Sequence, residues 1–399
     1  MNSDRARIYS VAGFRACAVG LSGIILALHL STLGLNPWLI GLCISLGLFG
    51  CALGTVVVTF TADRLGRRGS LIALSLLMAA GAVLFMRATQ TSVLLVSALF
   101  GMVNGMGRDR GAGVTIEQAM LPQTTTDASR TKVFAWYNLV VDGGHAVGSL
   151  LGGLPAWLRL HAGVAPLASY QWTWALYGTL CLAAAGCAWR LSPAVELRLA
   201  RPIARLSPSS RPFVAKFAAL STLDSFAGGF LTTALLSYWF FRRFGVDEAL
   251  LGPLFFVVRI ANGLSHLAAA WLARRIGLVN TMVFTHLPSS LLLMTVPLAS
   301  SLPMAIFLFL IRESLVEMDV PTRQSYLVAI VREEERTRAS GITNLARNMA
   351  WAVAPMVAGS LMRTVSLSAP LVIGPGLKIA YDLLLYRAFR HLPPPEERR

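Results

Sequence analysis

The chain has 399 residues, 55% hydrophobic and only 14% charged, and its mean hydropathy of +0.62 excludes a soluble domain of this size. Its 35 Lys and Arg against 19 Asp and Glu give a net charge of +16. These cations collect in short runs between apolar stretches, which points to a basic membrane face attracted to anionic lipid and away from nucleic acid as a partner.

A helix crosses a bilayer with about 20 apolar residues. In chain order the candidate spans are 8–31, 38–60, 70–87, 92–121, 132–154, 172–190, 213–241, 249–271, 279–297, 304–330, 339–362 and 370–389. The first run is too long for a cleavable signal peptide and is expected to stay as the first helix. With the N-terminus inside, only Arg87, Arg159, Arg242, Arg243 and Arg363 fall on the outer side. That asymmetry follows the positive-inside rule and predicts both termini in the cytoplasm, in a multi-pass protein of the cell inner membrane. Cys17, Cys43, Cys51, Cys181 and Cys187 all lie in apolar runs without metal-ligand spacing. They read as small packing residues, so no disulfide, metal or other cofactor is expected.

Residues 191–212 carry Pro193, Pro202, Pro208 and Pro212 with Arg198, Arg201, Arg205 and Arg211. Proline ends helices, so this segment is expected to be a central cytoplasmic loop, with room for a short surface helix. It separates an N-terminal six-helix bundle (1–190) from a C-terminal one (213–399) that ends in a solvated tail at Pro393-Pro394-Pro395-Glu396-Glu397. The two parts repeat each other. At an offset of 211, Gly34, Gly41, Ala62 and Gly66 match Gly245, Gly252, Ala273 and Gly277. At an offset of 206, Glu117 falls opposite Arg323, Gln118 matches Gln324, Arg130-Thr131 matches Arg336-Thr337, Asn138 matches Asn344 and Gly153 matches Gly359. Collinear matches of this kind, six spans per half, imply two bundles in the same orientation.

Between spans 2 and 3 stands Thr61-Ala62-Asp63-Arg64-Leu65-Gly66-Arg67-Arg68. Glycine permits the tight reversal and the arginines hold it inside. The run resembles the helix 2–3 loop of the major facilitator superfamily of secondary transporters, Gly-x-Leu-Ala-Asp-Arg-x-Gly-Arg-Arg/Lys, departing from it at Thr59 and Thr61. Span 5 carries Gly144-x-x-x-Gly148-Ser149-x-x-Gly152-Gly153, similar to the helix 5 motif of that family's antiporters with Ser149 in place of proline. Span 11 carries the related Ala350-x-x-x-Ala354-Pro355-x-x-Ala358-Gly359. Such stripes let helices approach closely. They read either as tight packing alone or as a sealing interface that favours proton antiport.

The resemblance implies an all-α integral membrane protein with twelve transmembrane helices in two pseudo-symmetric six-helix bundles. It also implies a central cavity lined mainly by helices 1, 4, 7 and 10. By the same resemblance Asp63 would face the start of span 11 and Arg67 would pair with Glu117. Together with Arg64, Arg68 and Arg323 these would close the cytoplasmic side; a network that only fixes orientation is the plainer alternative.

Charge inside a membrane is costly and faces partners, water or substrate. Asp142, Asp224 and Glu313 are the candidate proton carriers, although structural pairing would account for each of them equally. Arg15, Arg108, Asp109, His145, Arg259, Asn262, Arg312 and Arg347 are candidates for the cavity wall. Arg108 and Asp109 are expected near the middle of helix 4. His145, one turn after Asp142, would tune it or serve as a structural hydrogen bonder. The arginines would suit an anionic or zwitterionic substrate. Asn138 and Asn344 are expected to be buried and bonded between helices. Tyr238 and Trp239 would either contact substrate or join an interfacial belt.

No Walker A run, no His-Glu-x-x-His pair and no nucleophile elbow appears, so neither an ATP engine nor an enzyme is expected. The expected function is secondary transport of a small molecule by alternating access, with export by proton antiport ahead of symport or facilitated uptake of a metabolite. The expected partners are the substrate, protons and lipid, around a monomer. A membrane sensor or lipid-handling protein is the alternative from another class.

Overall fold

The computed structural model describes residues 2–126, 129–196 and 206–392. Among them it contains sixteen α-helices and no strand. The helices are α1 (Asn2–Thr32), α2 (Pro37–Leu65), α3 (Arg67–Arg87), α4 (Thr91–Gly101), α5 (Ala112–Met120), α6 (Arg130–Leu151), α7 (Leu154–Ala162) and α8 (Pro166–Trp189). They continue with α9 (Ser210–Gly229), α10 (Thr233–Phe244), α11 (Glu248–Ile276), α12 (Leu278–Thr295), α13 (Leu302–Val316), α14 (Asp319–Ile330), α15 (Arg336–Thr364) and α16 (Pro370–Phe389). By length and apolarity, six stretches suffice to cross a bilayer on their own: 3–32, 37–65, 67–87, 210–244, 248–276 and 278–298.

The ends of these helices follow from their sequence. Asn36 caps α2, its side-chain oxygen accepting from the Leu39 amide at 3.1 Å, with Pro37 in the first turn. Thr232 caps α10 in the same way, at 3.3 Å from the Leu235 amide. The reversal between α2 and α3 turns on Gly66 at φ +91°, and the repeat-related Gly277 makes the α11–α12 reversal at φ +85°. The outer faces carry large apolar side chains, among them Phe60 and Phe100, while Arg15, Glu117, Asp224 and Arg323 are buried. Exposed apolar groups around buried charges are the pattern of a helix bundle solvated by lipid.

Three expected spans are broken. Span 4 becomes α4 and α5, separated by the non-helical residues 102–111; span 7 becomes α9 and α10; span 10 becomes α13 and α14. Arg108 and Asp109 therefore lie in an unwound stretch, not on a helix. The glycines of Gly101–Gly111, with Met102 left-handed at φ 52° and Gly107 at φ 68°, end helical pairing there. The freed backbone groups find partners. Ser22 donates to the Asn104 carbonyl at 2.9 Å, the Ala234 amide to the Gly105 carbonyl at 2.9 Å, and Thr233 to the Met106 carbonyl at 3.0 Å.

The described residues form two compact units. One comprises 1–200, 232–259 and 355–363; the other comprises 201–231, 260–354 and 364–399. In the first, α1 packs along α6 and α8, and α3 along α8; in the second, α12 packs against α13, α14 and α16, and α16 against α9. The first unit thus gathers the whole first repeat together with α10, the start of α11 and the end of α15 from the second. The surface helix expected in the central loop, and the 393–397 tail, lie outside the described residues, the loop from 197 to 205.

Candidate functional site

In the first unit the buried charges meet beside the break in span 4. The Arg15 guanidinium, on α1, is shared by two carboxylates. It donates through Nε to Asp109, through Nη1 to Glu117 Oε1 and through Nη2 to Glu117 Oε2, the last at 2.8 Å. The Tyr137 hydroxyl, on α6, adds a bond to Glu117 Oε2 at 2.8 Å, and Glu117 is fully buried. Asp109 accepts from the Gly111 amide at 2.8 Å, and its own amide donates to His145 Nε2 at 2.8 Å. His145 must therefore carry its proton on Nδ1 when neutral. Arg15 thus meets two acids in a site nearly closed to solvent, with Arg108 and Arg110 flanking Asp109 in the chain. A cavity of about 20 Å³, room for one water, borders Arg15, Asp109, Cys51 and Asn104.

The second unit holds the counterpart with the charges exchanged. Here α9 supplies the acid, Asp224, and α14 the cation, Arg323, at 2.9 Å. Arg323 stands 206 residues after Glu117. Asp319 joins Arg323 at 2.6 Å, and Arg347 and Lys378 reach Asp224 at 3.5 and 3.1 Å. Asp224, His286 and Asp319 present atoms within 4.8 Å of one another, but the three basic side chains occupy the Asp224 oxygens, so the group is an ion-pair network and not a metal centre. Nearby on α13, Glu313 takes Arg312 and accepts from Asn262 Nδ2 at 3.1 Å.

At the end of α2 away from Asp63, parts of the two repeats close on each other within the first unit. Arg159 on α7 and Tyr170 on α8 both bond Glu248, which is buried at the start of α11. Ser45 on α2 accepts from the Met356 amide of α15 at 2.9 Å. A Cβ on Gly41 would lie 3.2 Å from the Gly359 Cα, and one on Gly252 would lie 3.0 Å from the Ser149 carbonyl oxygen.

A sequence profile of the Major Facilitator Superfamily matches residues 8–355 and again 218–399. The chain belongs to the major facilitator superfamily. An uncharacterized membrane protein of Saccharomyces cerevisiae is 26% identical over 416 residues, covering 96% of this chain and 93% of that protein. The fold is similar to the nucleoside transporter NupG, with a TM-score of 0.76 at 13% identity over 96% of this chain and 99% of that one. It is also similar to the D-xylose-proton symporter, with a TM-score of 0.75 at 13% identity over 96% and 97%. A bacterial homologue of the human lysosomal transporter Spinster, in an inward-facing and unoccupied conformation, gives a TM-score of 0.68 at 16% identity over 96% and 94%. The chain is thus an all-helical membrane protein of a superfamily that moves small molecules.

Against this family frame several sequence expectations change. Arg67 does not meet Glu117: its Nε donates to Asp63 at 2.8 Å and its Nη1 to the Ala119 carbonyl at 2.9 Å, because Glu117 points inward to Arg15. Asp63, Arg64 and Arg68 stay at the loop surface, the first two exposed and the third half-buried. Asp142 is not buried; its side chain is 49% exposed and 4.0 Å from His145 Nδ1. Asn138 and Asn344 are exposed, and Tyr238 and Trp239 are buried. Gly144, Gly148 and Gly152 seat α6 on α1 within the first repeat, whereas Gly153 approaches Glu248 of the second. Ala350, Ala354 and Ala358 are buried on α15, with Pro355 and Gly359 against α2. Arg259 donates to Thr233 at 2.8 Å, and Arg108 is half-buried in the unwound stretch.

The sequence did not single out His286, Glu196 or Glu335; Lys378 and Asp382 were expected among the paired charges inside the spans, and Tyr137 as a candidate substrate contact. Glu196 accepts from the Arg67 and Arg68 amides at 2.7 and 3.0 Å, a carboxylate on the N-terminus of α3. A signal for the break was present. Four glycines with Asn104 and three charged residues in Gly101–Gly111 mark an interrupted transport helix.

Proposed function

We propose that this protein is a secondary active transporter that carries a small molecule across a cytoplasmic membrane by alternating access, with proton antiport as the coupling. The observation that carries the proposal is Arg15 held between Asp109 and Glu117 at the break in span 4. Carboxylates clustered in a nearly closed site take up a proton when they meet water and release it when a cation or a substrate group competes for the same oxygens. Unwound backbone at that depth supplies directional groups for a substrate, as discontinuous helices do in carriers. The α15 stripe, with Pro355 and Gly359 against α2, supports antiport, and the Arg159–Tyr170–Glu248 contacts join parts of the two repeats at the end opposite the Asp63 loop. The proposal keeps the two repeats, 1–190 and 213–399, as the parts that rock, with Asp63–Arg68 on the cytoplasmic side.

A second reading, uptake by symport of an anionic metabolite, is favoured by the arginines grouped around the break: Arg108, Arg110 and Arg259. The experiment is a substrate screen in cells lacking the protein, followed by flux in vesicles with an imposed proton gradient. Nucleosides and sugars, the cargo of similar folds, enter the screen first. Antiport predicts that collapsing the gradient raises cellular accumulation; symport predicts that it lowers it. The reading fails if no gradient-dependent flux of any screened compound depends on the protein. Glu117→Gln is expected to uncouple flux from the gradient by about tenfold or more.

A further inference from the structure

On α12 and α16 a buried polar chain runs away from the Asp224–Arg323 pair and ends on an oxygen without a donor. Lys378 Nζ lies 3.1 Å from Asp224 Oδ1 and 3.0 Å from His286 Nε2. His286 Nδ1 lies 2.9 Å from Asp382 Oδ1. With Lys378 an ammonium, its proton fills Nε2, so the imidazole carries its hydrogen on Nδ1 and donates it to Asp382. Asp382 and His286 are 0% and 1% exposed, and Asp382 Oδ2 has no hydrogen-bond partner. A buried carboxylate oxygen with no donor carries a desolvation cost that a proton on that oxygen removes.

We infer that Asp382, with His286, is a second protonatable site of this carrier, and that Lys378 links its occupancy to Asp224. The inference rests on the transporter reading only for what the proton is coupled to. In the uptake step one O–H bond forms at Asp382 Oδ2, hydronium gives up the proton and water is left behind. The His286–Asp382 pair passes from one negative charge to none. Lys378 keeps its hydrogen bond to His286 Nε2 but loses the pull of the Asp382 charge behind it, and so leans more on Asp224, in competition with Arg323 and Arg347. Release is the reverse step.

The groups facing the pair are on every packed element: Asp224 from α9, Arg323 and Asp319 from α14, Arg347 from α15, and Lys378 and Tyr381 from α16. On α13, Arg312 and Glu313 lie near α12, where Ser289 donates to the Arg312 carbonyl at 3.2 Å. The three acids Asp224, Asp319 and Asp382 balance the three cations Arg323, Arg347 and Lys378. An added proton therefore leaves one positive charge, so it is held loosely enough to be exchanged.

The test is a pH titration of the purified full-length protein in lipid vesicles, followed by infrared difference spectroscopy with ¹³C-aspartate labelling; it uses no substrate. The expected result is a buried carboxyl C=O band that shifts with the label and is lost in Asp382→Asn. In Lys378→Met the proton affinity of that band is expected to rise about tenfold, because a nearby cation is removed. A role in packing alone would not move this midpoint. The inference is overturned if the wild type shows no titrating buried aspartate, if the band survives in Asp382→Asn, or if Lys378→Met leaves its midpoint in place. Should Asp382→Asn not fold, the labelled wild type and Lys378→Met still decide. Gradient-driven flux without this band would leave the transporter reading standing and remove the second site; the band without flux would do the opposite.

Discussion

Arg15 shows how much one side chain holds at the residue scale. Its partners come from the unwound stretch, from α5 and, through Tyr137, from α6, so its removal would leave Asp109 and Glu117 buried without a cation. Arg15→Met is expected to cost about 3–5 kcal/mol, read as a fall in detergent thermal stability, because an uncompensated buried charge is worse than none. Adding Glu117→Gln should restore part of that loss. Asp142→Asn, at a half-exposed position, is expected to stay within about 0.5 kcal/mol of the wild type. The charges themselves were legible in the sequence, because an ion inside an apolar run has few places to go. Their partners were not: Arg15 meets groups 94 and 102 residues away, and no local spacing encodes such a pairing. Asp142 misled for a related reason, since periodicity places it on a helix without saying which face the neighbours cover.

At the scale of elements, close packing and caps set the helices. A Cβ at Gly148 would strike the Cys17 carbonyl, a backbone group that cannot step aside. Gly148→Val is expected to prise α6 from α1 and lower stability by about 1–3 kcal/mol or more, measured by the same melt. Glu335 fastens the start of α9. Hydrogen bonds from the Ser210 hydroxyl and the Ser207 amide hold its carboxyl down at about 2, against an ordinary value of 4.5. A lowered pKa gives stability that is complete above the ordinary value and is lost as pH falls toward the folded one. Cleavage by pepsin near Ser207 should therefore rise as pH drops from about 4.5 toward 2. In Glu335→Gln that cleavage should already be high at the upper end of the window. The small-residue stripes and the Gly66 reversal were readable because their chemistry is local. The interruption of span 4 was written in the same glycines, but high apolarity on both sides made one continuous helix the simpler expectation.

The repeat organises the whole molecule. Repeat-related glycines adopt matching turns, Gly34 and Gly245 at φ +82° and +70°, Gly66 and Gly277 at +91° and +85°. Each half buries an opposite-charge pair between its first and fourth spans, Arg15 with Glu117 and Asp224 with Arg323, with the signs exchanged. The family and the helical class were legible from the chain alone. Where parts of the two repeats close on each other within the first unit was not, since that depends on contacts such as Glu248 with Arg159 and Tyr170, on segments far apart in sequence. Glu248→Gln should weaken that closure, raising thiol labelling of a cysteine placed at Ser45 several-fold, read by maleimide modification in vesicles.

Alternating access is tested most directly by paired spin labels at the two ends, in a background lacking native cysteines. One pair replaces Leu160 and Asp247, on exposed positions at the Glu248 end; the other replaces Arg64 and Arg275, exposed positions that correspond in the two repeats. Pulsed electron–electron distances are then recorded across pH and with each transported compound. The account predicts that the first distance lengthens as the second shortens, in the same fraction of molecules. Two distances that stay fixed, or that grow and shrink together, would contradict it.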